Sequence, residues 1–119
     1  MKRGEIYLAD FGKSRNSFEF GKKRPVLIFQ TDKLNLAVEA GIYDYFLVIP
    51  LSTKQDIVTE EFRYAISSRE RLKEESYAVC NSLCFLPRAA LKEKIATLTP
   101  QECVEVEQIL KNLFEISDE

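Results

Sequence analysis

A chain of 119 residues that is 45% hydrophobic and 30% charged, with only four Gly and four Pro, is long enough for one buried core. Its composition is that of an ordered globular domain, which excludes the disordered and fibrous classes. The longest apolar run, residues 45–51, falls far short of the roughly 20 residues that span a bilayer, and residues 1–5 lead into a strand pattern without the apolar core of a signal peptide; the expectation is one domain over 1–119, cytoplasmic, with no membrane partner.

The chain has no His, so Ser-His and Cys-His nucleophiles are excluded, and any catalysis must use Arg, Lys, carboxylates or hydroxyls. Its three cysteines, Cys80, Cys84 and Cys103, are odd in number and lie in apolar surroundings. They read as reduced, buried small hydrophobes; neither a disulfide framework nor a metal site is expected, and no cofactor. The net charge of −2 hides a division along the chain. Residues 1–34 carry eight Lys/Arg against four Asp/Glu, whereas residues 99–119 carry one against six. Local potential rather than net charge decides where a polyanion docks, so a basic N-terminal segment and an acidic tail can share one fold.

Residues 4–11, with Ile6 and Leu8 on one face and Tyr7 and Ala9 on the other, predict a strand with little exposed surface. Residues 12–23 are polar, basic and long for a hairpin connection, which marks the first place to look for a site. Within them Lys22 and Lys23 could track a phosphate backbone, while Phe18 and Phe20 either stack on an unpaired base or fold back onto the core. Arg24-Pro25 opens a continuous apolar run over 26–30, a strand buried on both faces with Pro at its tolerated first position. Residues 32–41 read as an irregular connection. A third strand over 44–51 ends at the hydroxyl pair Ser52-Thr53.

Residues 61–66 alternate with period two, residues 67–75 form a charged turn, and residues 76–84 read as one more apolar strand. A short helical turn at 88–91 and a brief strand at 95–98 follow. Thr99-Pro100-Gln101-Glu102 has the capping-box spacing with Pro at the first helical position. In the helix it opens, Cys103, Val106, Leu110, Leu113 and Phe114 form an apolar stripe, with Glu105, Glu107, Lys111 and Glu115 toward water. Short strands closed by one terminal helix predict a mainly β fold, a small twisted barrel.

Several of these segments together resemble the MazF/PemK toxin family: Gly4-Glu5-Ile6-Tyr7, Glu19 before Arg24-Pro25-Val26-Leu27-Ile28, Val48-Ile49-Pro50-Leu51-Ser52, Tyr77-Ala78-Val79-Cys80-Asn81 and residues 91–99. The resemblance implies an SH3-like barrel with a C-terminal helix. It further implies a homodimeric, metal-independent endoribonuclease that cuts single-stranded RNA and is silenced by a cognate antitoxin. Carried onto this sequence, Arg24 becomes the main catalytic residue, Ser52 stands where the family usually has Thr and donates to the phosphate, and Glu19 is the candidate base. Thr53 would exchange roles with Ser52 after a one-residue shift. The chain departs from the family at Asn81, Ser82 and Cys84, where a carboxylate, a Gln and a cation are usual. Asn81 and Ser82 can still hydrogen-bond to base edges but supply no charge. This keeps a second reading open, a non-catalytic barrel that binds a protein target as the CcdB gyrase poisons do. A positive groove near Arg24 would favour RNA, and an apolar patch a protein.

Overall fold

The structure, a computed structural model, describes residues 1–12 and 23–117. Seven strands are built: β1 (Glu5–Asp10), β2 (Lys23–Ile28), β3 (Tyr45–Ser52), β4 (Arg63–Ile66), β5 (Ser76–Val79), β6 (Cys84–Pro87) and β7 (Leu91–Thr97). Two helices join them, α1 (Asp32–Glu39) and α2 (Pro100–Phe114). The strands run in the order β4-β5-β3-β2-β1-β7, with β6 also paired to β3. Every pair is antiparallel.

Alternation along the central strands sorts side chains into two cores, as the doubly apolar pattern predicts. Leu27 and Phe29 with Ile49 and Leu51 pack with Cys103 and Val106 of α2. Val26 and Ile28 with Phe46 and Val48 pack with Val38 of α1 and Leu91. Where β2 ends, the buried Gln30 continues the ladder with its side chain: its amide donates to Tyr45 O at 3.1 Å and accepts from Leu47 N at 3.0 Å. The outer strands β4 and β7 share no ladder among the described residues. The turn that follows β4 reaches β7 through one backbone hydrogen bond, as the Arg71 N–H donates to Ile95 O at 2.9 Å. The fold is mainly β with a C-terminal helix, and the sheet is open between β4 and β7 rather than the closed barrel the sequence suggests.

Three further expectations are corrected. Residues 32–41, read as irregular, contain α1, capped by Thr31, whose side chain accepts from Lys33 N. The helix is invisible to an apolar stripe because the residues it buries are Val38 and an amide, Asn35, which donates to Gln30 O at 3.2 Å and Asp32 Oδ1 at 3.0 Å. The single strand expected over 76–84 is two, separated by a 3-10 turn at Cys80–Ser82. This corner carries the chain from the end of β3, where Tyr77 faces Ser52, to its start, where Leu86 faces Phe46. The strand expected at 95–98 begins four residues earlier, its first half masked by the exposed Lys92, Glu93 and Lys94 and by irregular register against β1.

The capping box at Thr99 forms in full: the Glu102 N–H donates to Thr99 Oγ1 at 3.1 Å and the Thr99 N–H to Glu102 Oε1 at 2.8 Å. The stripe on α2 docks through Cys103, Val106 and Leu110, but Phe114 is 60% exposed. Two of the acids on its water-facing side also tie the helix down. Glu107 pairs with Arg3, whose guanidinium lies 4.3 Å above the Phe29 ring, and Glu105 accepts from the Tyr64 hydroxyl. All three cysteines are free thiols, with Cys80 and Cys103 buried and Cys84 half-buried. Burial pushes the Cys80 thiol up to about 12.

Candidate active site

The antiparallel pairing of β2 with β3 sets Val26 against Pro50, Leu27 against Ile49 and Ile28 against Val48. Extended by two residues in the same register, it brings Arg24 opposite Ser52 just where the paired ladder has ended. The opening between the two strand ends is a cleft of about 340 Å³ lined by Arg24, Pro25, Leu51, Ser52, Thr53 and Lys54. The sequence separates Arg24 from Ser52 by a loop, a helix and two strands, and one strand register reunites them.

Local structure orients each group. Within β2, Arg24 pairs with Ala9 of β1 and Pro25 with Leu8, so Pro25 stiffens the backbone beside the arginine. Ser52 lies at the last residue of β3, and its Oγ accepts from the Lys54 N–H at 3.1 Å. That bond occupies the hydroxyl as an acceptor locally and leaves its own proton to be donated outward, the polarity a phosphate oxygen requires. The guanidinium of Arg63 donates to Lys54 O and holds the turn after Ser52 in shape.

Of the residues singled out in the sequence, the cleft unites Arg24, Ser52 and Thr53. Lys23 is exposed at the strand's first position, opposite Asp10, and does not line the cleft. Asn81 and Ser82 are exposed on the 3-10 turn beneath α2 and do not line it either. Glu19, Lys22, Phe18 and Phe20 lie outside the described residues. Sequence reasoning missed Lys54, which adds a cation to the rim, and it missed residues 71–74 and Ser76, which line a neighbouring cleft. No periodicity marks either stretch; only the fact that a hydroxyl pair ends a strand could have drawn attention to the residue after it.

Comparisons with known proteins agree with this architecture. The chain is 28% identical over 114 residues to the Endoribonuclease MazF of Staphylococcus epidermidis, an alignment covering 92% of this chain and 88% of that protein. Its fold matches MazF in the crystal structure of MazE-MazF (Form-II) from Deinococcus radiodurans with a TM-score of 0.76 at 17% identity, over 98% of this chain and 97% of that one. It also matches the Mycobacterium tuberculosis toxin MazF-mt6 with a TM-score of 0.74 at 18% identity, over 95% and 98% of the two chains. Residues 2–114 match the family of PemK-like, MazF-like toxins of type II toxin-antitoxin systems, and the chain belongs to that family.

Proposed function

We propose that this toxin is a metal-independent endoribonuclease of single-stranded RNA, with its reaction centre in the cleft between the ends of β2 and β3. The observation that carries the reading is the cleft at the ends of β2 and β3, which Arg24 and the Ser52 hydroxyl line together. In the proposed reaction the RNA 2′-OH loses its proton to a base, its oxygen bonds to the adjacent phosphorus, and the bond to O5′ breaks. The products are a 2′,3′-cyclic phosphate and a 5′-OH, the latter protonated by solvent. Arg24 remains charged throughout and offers paired N–H donors to the phosphate oxygens as negative charge grows there. Ser52 donates to a further oxygen, with Thr53 beside it. Glu19 is the proposed base. The proposed RNA contacts of Lys22, Lys23, Phe20, Asn81 and Ser82 would lie beyond this centre.

The similarity to an endoribonuclease and to a toxin solved with MazE supports the substrate class and a cognate antitoxin as partner. A homodimer that joins two such clefts, acting on cytoplasmic mRNA, is part of the same reading. A cleft rimmed by Arg24, Ser52, Thr53 and Lys54 favours a polyanion over the apolar patch a protein poison would need.

The test is cleavage of a long single-stranded RNA in excess chelator with product ends mapped. Arg24→Ala is expected to slow cutting about 10³-fold and Ser52→Ala about 10²-fold, the scale on which single transition-state donors act; Ser52→Thr should retain most activity. Equal cutting by Arg24→Ala, or loss of cutting in chelator alone, would remove the assignment.

A further inference from the structure

A second cleft of about 300 Å³ adjoins the first and shares Pro25 and Thr53 with it. Its floor is aliphatic: Leu8, its cross-strand partner Pro25, Leu72 and Ile95. Its far wall is formed by residues 71–74 and Ser76, and the turn at 69–72 that leads into it is fixed on three sides. Arg69 N donates to Leu72 O at 2.9 Å and Leu72 N to Arg69 O at 2.8 Å, a tight closure that carries Glu70 at a φ of +50°. Arg71 N donates to Ile95 O at 2.9 Å, and the Arg69 guanidinium clasps both oxygens of Glu102 at the start of α2. The wall is therefore formed before any ligand arrives, so a ligand would meet little ordering cost.

The charges on this wall are unevenly engaged. Arg71 is neutralised by Glu93 at 2.8 Å. Lys73 is exposed, lines the cleft, and makes no ion pair among the described residues. Glu74, also on the lining, offers acceptors only, which repel a phosphate but suit the N–H groups on a base edge. An aliphatic floor, one uncommitted cation and one acceptor match the three parts of a nucleotide: base face, phosphate and base edge.

We propose that this second cleft is a nucleotide subsite of the RNA groove, which seats the base next to the scissile one on Leu8, Pro25, Leu72 and Ile95 and holds its phosphate on Lys73. The inference rests on the endoribonuclease reading of the first cleft. Continuity through Pro25 and Thr53 lets a strand pass from Arg24 to Lys73 without leaving the surface.

The experiment measures binding of a single-stranded RNA oligonucleotide that spans the mapped cleavage site and carries a 2′-deoxy group at the scissile nucleotide, as a function of salt. Wild type, Lys73→Ala, Lys73→Arg and Arg24→Ala are compared. Lys73→Ala should weaken binding about three- to tenfold and flatten the salt slope by about 0.7, the value for one phosphate contact on a single strand; Lys73→Arg should restore most of both. Removing the base next to the scissile nucleotide should cost the wild type about tenfold, as loss of one buried base face predicts. If Lys73→Ala binds as wild type while Arg24→Ala binds weakly, the second subsite is refuted and the first cleft stands. If neither substitution changes binding, the RNA reading of both clefts falls.

Discussion

The clasp between Arg69 and Glu102 gives a stability prediction that can be worked from its geometry. Glu102 accepts from both terminal nitrogens of Arg69, one contact at 2.7 Å, and also from the Thr99 N–H at 2.8 Å, with both charged side chains 18% exposed. Glu102→Gln keeps an acceptor for the capping box, since Gln serves at that position, but removes the charge. Hydrogen bonds to charged groups are worth about 1.5–3 kcal/mol, and partial exposure places this one at the lower end, about 1–2 kcal/mol. At roughly 4 °C per kcal/mol for a domain of this size, Tm should fall by about 4–8 °C. Glu102→Ala loses the cap as well, worth about 1 kcal/mol more, and should fall by about 8–12 °C.

The pH dependence has a definite sign. The Arg69 guanidinium holds the Glu102 carboxyl below its ordinary value of 4.5 in the folded state. Its contribution is thus fully present above pH 4.5 and is lost as the pH falls through the lower folded value. Thermal melts by circular dichroism at one fixed protein concentration, from pH 7 down to pH 3, should show the gap between wild type and Glu102→Gln narrowing in acid. A gap under 1 °C at neutral pH, or one that stays constant in acid, would show that the clasp does not stabilise the turn.

Two further outcomes follow from packing. Gly4 has a φ of +93°, and a Cβ there would meet Cys103 Sγ at 3.0 Å; Gly4→Ala should therefore cost more than about 1 kcal/mol in urea denaturation. Adding Cys103→Ala should recover only the steric part, so complete recovery would disprove the backbone contribution. Alkylation of the native protein at pH 8, followed by mass spectrometry, should modify half-buried Cys84 first and leave Cys80 untouched, because Cys80 is buried and its thiol is held near 12. Rapid labelling of Cys80 would place it on the surface.

Much of the fold is legible residue by residue because the signals are local. The alternation of Ile6, Tyr7, Leu8 and Ala9, the apolar run after Pro25 and the capping box at Thr99 each report a preference that neighbouring residues can satisfy among themselves. Where burial depends on a distant partner, the pattern is silent. Helix α1 turns an amide inward because Gln30 O awaits it, and the corner at Cys80–Ser82 arises because β3 needs different partners at its two ends.

The site divides the same way. In the sequence, Arg24, Ser52 and Thr53 stand out through their resemblance to the family's pattern, since an arginine and a hydroxyl at strand ends are by themselves ordinary surface residues. Tertiary structure alone decided that Arg24 and Ser52 line one cleft, that Lys54 joins them, that Asn81 and Ser82 sit apart, and that Lys73 stands beside an aliphatic floor. The physical reason is that a residue's chemistry travels with its side chain, whereas its neighbours across a sheet are set by the register between strands distant in the chain.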